Sequence, residues 1–325
     1  MNSLIAVDSL DVLILVDNLV DSLSSTPSYV ESEWTRLWAR GLSSISGRCL
    51  CCGAHGLSCA ISVRFGDSER TLLFDTGPDE AVFERNVDRL GFDVGSIDGV
   101  VLSHGHWDHA GAMVRALDMV QLDNGGRPVP TFMHPGMYLP RAVKTANGSI
   151  HRFEDVPKAD ELESHGARVV HATEPAVILE GAFYVSGEIP RVTAFETGMQ
   201  EQYRLAANGV DWEPDPLIVD ERYVAVSVRG KGMVIFTACS HAGVVNVLKD
   251  ARERFPSMPL RGILGGFHLS GANEKFIPQT VTALKEFGLT TIAPAHCTGW
   301  RAVGALSHAF GTAVVPASVG TRYRF

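Results

Sequence analysis

Apolar positions along this chain recur in two periods, and the changes of period mark the expected elements. Alternating or continuous apolar runs bounded by Gly, Asp or Asn predict strands at Asp11–Asp17, Leu57–Phe65, Thr71–Phe74, Ile97–Leu102 and Val129–Met133. Later runs predict strands at Arg168–Val170, Ala176–Leu179, Ala182–Val185, Tyr223–Val228, Gly232–Thr237, Leu260–Leu264, Thr291–Ala293 and Ala313–Val315. A three- and four-residue spacing over Asp79–Leu90 puts Val82, Phe83, Val87 and Leu90 on one side of a helix, and Gly91 suits its C-terminal end. Further helices are expected over about Gly111–Val120, Val244–Phe255 and Ile277–Phe287, and in a last segment running toward Phe310. A short helix toward Lys144 should follow His134-Pro135, and another should cover Glu31–Arg40, with Trp34 and Trp38 packing on one face. Gly66-Asp67 and Gly230-Lys231 are the turns of two hairpins.

Three stretches lack regular patterning. They are an N-terminal excursion over about 18–48, a loose polar segment over Ala146–Gly166, and Gly187–Pro216, an inserted segment of the kind that forms lids or binding loops. Between them the two halves of the chain repeat one order: hairpin, polar loop, helix, strand, histidine loop. Each half would supply a sheet with helices outside it, giving an α/β (α+β) stack of four αββα layers and one domain over 1–325. Ligands from strand ends would then meet at one rim.

Composition narrows the class. The 325 residues are 45% hydrophobic and 20% charged, ordinary for a globular protein with a sizeable core. The net charge of -9, without a long run of one sign, argues against a nucleic-acid partner. No apolar stretch reaches membrane-spanning length, and the acid-dotted N-terminus does not read as a signal peptide, so a cytoplasmic protein with no membrane partner is expected. The six cysteines, Cys49, Cys51, Cys52, Cys59, Cys239 and Cys297, are expected to be reduced thiols. A homo-oligomer stays open.

One stretch carries chemistry densely. In Ser103-His104-Gly105-His106-Trp107-Asp108-His109 three histidines and an aspartate fall within six positions, after an apolar strand and before a helix. Imidazole and carboxylate suit borderline divalent ions, and alternate residues would point two rings one way while Asp108 and His109 diverge. Two neighbouring metal centres are thus conceivable from one loop. Elsewhere His241, His268 and His296 each follow a strand and sit beside Gly or other small residues. His134 and His171 also end strands, but hydrogen-bonded or surface roles suit them better, and His55, His151, His165 and His308 carry no special expectation.

These residues resemble the metallo-β-lactamase superfamily. The resemblance rests on Phe74-Asp75-Thr76-Gly77, the stretch Ser103–His109 and His296, and runs roughly from Leu57 to Val315. Within it the chain is similar to the 7,8-dihydropterin-6-methyl-4-(β-D-ribofuranosyl)aminobenzene 5'-phosphate synthase-like group. That closer likeness is carried by Cys51–Ser58, Gly187-Glu188-Ile189-Pro190-Arg191, Cys239-Ser240-His241-Ala242-Gly243, Gly265-Gly266-Phe267-His268-Leu269 and His296-Cys297-Thr298-Gly299.

The resemblance implies the αββα sandwich and one or two ions, Zn2+ first, with Mn2+ or Fe2+ as alternatives. His104 and His106 would bind one ion with a third histidine; Asp108, His109 and His296 would bind the other. The superfamily's strand-ending bridging aspartate is missing, because Thr237-Ala238-Cys239-Ser240-His241 stands in its place. His241 is therefore expected as the third histidine, with Cys239 as the rival ligand. Asp75 is expected behind the ligands, and His268 at substrate or in proton transfer. Arg191 is either an anion clamp or half of a surface ion pair. The expected activity is hydrolysis of a small anionic substrate, phosphorylated or cyclic-phosphate pterin- or nucleotide-like, with Asp108 both binding metal and orienting the attacking water. The alternatives are a non-catalytic ligand sensor on the same fold and an iron-dependent redox protein.

Overall fold

Side-chain alternation along the strands separates the layers. In the computed structural model, which describes residues 3–325, strand Ser9–Val16 sends Leu10, Val12 and Ile14 into one apolar cluster and Leu13 and Leu15 into another. The first cluster fills the space between two sheets, where Ile61, Leu72, Phe74 and Val101 meet Phe183, Val226, Val234, Phe236 and Leu264. The second lies under helices Glu80–Leu90 and Met113–Asp123, through Phe83, Val87, Leu90, Ala116 and Leu117. A third covers the far face of the other sheet with Leu248 and Ala251 of helix Val244–Arg254, Leu284 of Ile277–Leu284, and Ala302 and Leu306 of Trp300–Phe310. The stack is helix, sheet, sheet, helix, as the sequence predicts.

The eight-stranded sheet runs in the order Ala167–His171, Val129–Met133, Ile97–Val101, Ser68–Phe74, Ser58–Phe65, Ser9–Val16, Arg322–Arg324, Val30–Glu31. The seven-stranded sheet runs Ala176–Ile178, Phe183–Val185, Val224–Val228, Gly232–Phe236, Leu260–Gly265, Thr291–Pro294, with Ala6–Val7 also on Val224–Val228. Each sheet has a parallel half whose strand ends face the same rim: Ser68–Phe74 beside Ile97–Val101, and Gly232–Phe236 beside Leu260–Gly265 and Thr291–Pro294. Phe236 is fully buried at the centre of the inter-sheet layer. Phe236→Ala should therefore cost about 3–5 kcal/mol of unfolding free energy, checked by denaturant unfolding.

Some sequence expectations are corrected. The helix expected toward Lys144 is one 3₁₀ turn, Pro135–Tyr138, followed by a strand, Arg141–Lys144. The inserted segment is not wholly irregular, since it holds strands Gln202–Leu205 and Trp212–Pro214. These join Arg141–Lys144 and Ile150–Arg152 in a third, four-stranded sheet, in a register (Tyr203 against Ala142) that local patterning cannot reveal. The polar stretch before Gly166 likewise contains Ile150–Arg152 and helix Ala159–Ser164. In place of the strand expected at Ala313–Val315 there is a 3₁₀ turn, Gly311–Ala313, and a single bridge from Val314 to Ile292; the last strand is Arg322–Arg324, whose Tyr323 is fully buried while its arginines pair with Asp11 and Glu31. The excursion holds Val30–Glu31 and helix Glu33–Ala39, where Trp34 and Trp38 stack at 5.7 Å. Among the described residues no helix is long and apolar enough to cross a membrane.

Candidate metal centre

The rim is built by polar residues that end apolar strands. Asp75 follows Ser68–Phe74, is fully buried and has φ 59. Ser240 and His268, beyond the ends of Gly232–Phe236 and Leu260–Gly265, also have positive φ, 56 and 42. Left-handed backbone at non-glycine residues costs free energy and persists only where the surroundings fix it. Two glycines permit close approach. A side chain at Gly56 would put its Cβ 2.1 Å from the Asp108 carbonyl oxygen, and one at Gly265 would lie 1.5 Å from that of Thr237.

Asp75 organises the first histidine loop. One carboxylate oxygen accepts the Ser103 backbone N–H at 2.7 Å. The other accepts the Ser103 hydroxyl at 2.7 Å and lies 2.7 Å from His109 Nδ1. Ser103 Oγ, having donated to Asp75, is left to accept from His104 Nδ1 at 2.9 Å. For neutral rings this donor order puts the proton on Nδ1 of both His104 and His109, which would turn both Nε2 lone pairs toward an ion. Asp75 thus sets two rings through one carboxylate. Asp75→Asn should lower metal affinity about ten- to hundredfold, measured by chelator competition, because an amide cannot accept on both sides.

Two sets of donor atoms converge in front of Asp75. His104, His106 and His241 form one; Asp108, His109, Cys239 and His296 form the other, the ligand atoms of each lying within 4.8 Å of one another. His104 Nε2 is 3.0 Å from His106 Nδ1, and the His241 ring lies 4.8 and 4.9 Å from those two rings. Cys239 Sγ stands 3.3 Å from His109 Nε2 and 3.2 Å from His296 Nε2. The sequence offered His241 and Cys239 as rivals for one place. In the fold they occupy different places, one in each set.

The chemistry of these donors fits divalent cations. His106 Nε2, both ring nitrogens of His241 and His296 Nδ1 are buried without a hydrogen-bond partner, unusual for polar atoms unless a further partner binds there. Burial drives His104 and His241 well below the usual histidine range, helped by neighbouring rings. Burial, then the Arg141 charge, pulls His106 down to about 3. All three are neutral imidazoles, the form that binds metal. In the second set burial alone would raise the Asp108 carboxyl, but His109 and His296 hold it well below the usual carboxylate range. Burial likewise lowers His109, and Asp108 and Asp75 outweigh it and raise it. The His109 ring lies between the two carboxylates, Asp75 at 2.7 Å from Nδ1 and Asp108 at 3.5 Å from Nε2.

Other residues fall as follows. His268 is largely buried, its ring 4.3 Å from that of His241, and it lines a cavity with His241, Phe267, Leu269, Asn273 and Phe276. It also lies with Cys239 and Cys297 in a third close group of donor atoms. Arg191 is not a free clamp: its guanidinium donates to the backbone carbonyls of Ile189 and Leu217. His134 accepts from Gly136 N–H at 2.9 Å and faces Glu188 at 3.4 Å, and the exposed His171 meets the Tyr138 hydroxyl at 3.0 Å.

Sequence reasoning gave His55 no special place, yet its Nε2 is 3.7 Å from Asp108 Oδ2 and its ring 5.5 Å from that of His296. Asp17, which in sequence only closes an apolar strand, also reaches the site. It is buried and accepts the His296 N–H at 3.0 Å, and Asn18 donates to the His296 carbonyl at 2.9 Å. Burial raises the Asp17 carboxyl to about 6, against the His296 charge that lowers it. The available signal was the parallel between Val16-Asp17 and Phe74-Asp75, each an acid closing an apolar strand.

Comparison with known proteins accords with this geometry. The Metallo-beta-lactamase superfamily model matches residues 60–118. A relative from Methanocaldococcus jannaschii, named 7,8-dihydropterin-6-methyl-4-(beta-D-ribofuranosyl)-aminobenzene-5'-phosphate synthase, is 27% identical over 259 residues, 76% of this chain and 82% of its own length. Among solved structures, a metal-dependent hydrolase of the beta-lactamase superfamily superposes with TM-score 0.69 at 24% identity, covering 96% of this chain and 98% of that one. The metallo-beta-lactamase fold protein YhfI from Bacillus subtilis superposes with TM-score 0.52 at 13% identity, covering 98% of this chain and all 100% of its own.

Proposed function

We propose, from the premise that this chain has the metallo-β-lactamase fold, that it is a metal-dependent hydrolase acting on a small anionic, phosphorylated substrate. The observation that carries the reading is the convergence of seven donor side chains from both sheets as two adjoining sets, several of their ring nitrogens unpartnered. His104, His106 and His241 would hold one ion, and Asp108, His109, Cys239 and His296 a second, with Zn2+ favoured by the thiolate and imidazoles and Mn2+ or Fe2+ as alternatives. When bound, such ions supply Lewis-acid chemistry, polarising the bond under attack and making water acidic enough to react at about pH 7.

The chain's own residues do the rest. Asp108, held ionised at the mouth beside His55, would orient the attacking water with its free carboxylate lone pairs. His268, in the cavity beside His241, would hold a substrate oxygen or return a proton to the leaving group through its unpartnered Nδ1. The inserted segment contributes Glu196, Thr197 and Gly198 to the same cavity and would limit the entry of bulk water. The phosphorylated substrate class rests on the name of the Methanocaldococcus jannaschii relative, which contains a 5'-phosphate.

The test is to strip purified protein with a chelator, reload it with Zn2+, Mn2+ or Fe2+, and assay phosphodiesters, phosphomonoesters, lactones and thioesters. Turnover is expected only after reloading and fastest on a phosphoester. Loaded protein that turns over none of them while binding one tightly would instead be a sensor. Native iron with a redox-active spectrum would point to electron transfer.

A further inference from the structure

The two histidine loops come from different sheets, and among the described residues no sheet hydrogen bond joins them. Besides the Cys239–His109 contact, one tripeptide is hydrogen-bonded to the backbone of both. Asp220 Oδ2 accepts the Gly105 N–H at 2.9 Å, between His104 and His106. Glu221 accepts the His241 N–H at 2.7 Å with one oxygen and the Ala242 N–H at 2.6 Å with the other. Arg222 N–H donates to the Ser103 carbonyl at 2.8 Å, and its guanidinium to the carbonyls of Ser186 and Ala172. All three residues are buried, at 1%, 1% and 3% exposure.

Buried carboxylates are costly to desolvate, so they persist where hydrogen bonds and charges compensate them. Asp220 is compensated by the buried Arg141, whose Nη1 donates at 3.1 Å from the third sheet. Glu221 has two backbone N–H groups and the charge of Arg191 from the inserted segment. Nothing in the inter-sheet core needs these acids. Their bonds go to the backbone beside His104, His106 and His241.

We propose that Asp220-Glu221-Arg222 is the positioning element that sets the spacing of His104 and His106 against His241, and thereby the affinity of that set for its ion. This rests on the metal-binding reading above. Because Asp220 is also paired with the buried Arg141 of the third sheet, the same tripeptide connects the covering structure to the ligand geometry.

The experiment measures stepwise metal affinity by chelator competition on the full chain for wild type, Glu221→Gln and Asp220→Asn. Glu33→Gln is the control, because Glu33 is a buried acid holding the Cys51 N–H elsewhere. Glu221→Gln keeps the shape but faces one N–H with another donor. It is expected to weaken one ion about ten- to hundredfold and leave the other unchanged. Glu33→Gln is expected to lower the melting temperature without separating the two ions. If Glu221→Gln does not fold, Asp220→Asn carries the same expectation. Wild-type affinities in both strut variants, or equal weakening of both ions, would overturn the proposal. A wild type that binds no ion overturns the proposed function instead. The spacing role then stands or falls on metal-free amide exchange: faster at His241 and Ala242 in Glu221→Gln if it holds, unchanged if it does not.

Discussion

On the proposed reading His106→Ala is expected to lower turnover by roughly 10³-fold or more, because it would remove one of the three side chains proposed to hold an ion, with His104 and His241 left as the other two. His106 is one corner of a near-equilateral triangle of rings, 4.5 Å from His104 and 4.9 Å from His241. The fold should survive. The ring is neutral and makes no ion pair, and its outer face packs edge-on against Phe153 at 5.4 Å. Its loss should thus cost about 1–2 kcal/mol, an ordinary value for one buried side chain. Metal analysis beside thermal unfolding separates the effects: less bound metal with a folded protein is expected, and retained stoichiometry and turnover would refute the assignment.

The second large effect is expected at Cys239. The metallo-β-lactamase likeness leads one to expect a bridging carboxylate at this strand end, whereas this chain has the buried Cys239, its sulfur between His109 and His296. Sulfur is a softer donor than a carboxylate oxygen and favours zinc over harder ions. Cys239→Ser should therefore weaken the ion of that set by at least the roughly ten- to hundredfold that even an outlying partner costs. With Co2+ as probe, it should also abolish the sulfur-to-metal charge-transfer absorption of wild type. Cys239→Asp should retain an ion, shift preference toward Mn2+, and cost about 1–3 kcal/mol of stability from overpacking. An unchanged cobalt spectrum in Cys239→Ser would remove Cys239 from the ligand set.

The layered fold was legible because its strands and helices carry strong local periods: Leu10, Val12 and Ile14 against Leu13 and Leu15 assign two faces without knowledge of any partner. The loop from His104 to His109 was legible for a related reason, since all its donors lie within six residues. What escaped depends on long-range pairing. The third sheet forms from strands of three to four residues whose register joins residues about sixty apart, such as Ala142 and Tyr203. Arg322–Arg324 is an edge-side strand with two outward arginines and one buried tyrosine, too short to display a period.

The same divide runs through the site. His241 was reached through its motif, but its separation from Cys239 needed the backbone turn at Ser240, φ 56, which sends neighbours to different sets. His55 and Asp17 contribute from an N-terminal stretch with few local signals, and Asp220 and Glu221 act through backbone N–H groups that no side-chain pattern records. Arg191 erred the other way. A cation in a motif invites an anion, yet the hydrogen bonds of this one go to the backbone carbonyls of Ile189 and Leu217.

Anomalous diffraction from crystals of metal-loaded protein tests the central claim most directly. The account predicts density among His104, His106 and His241 and a second peak among Asp108, His109, Cys239 and His296, both in front of Asp75. Peaks bound elsewhere, or none at these two sets in protein that holds metal in solution, would contradict it.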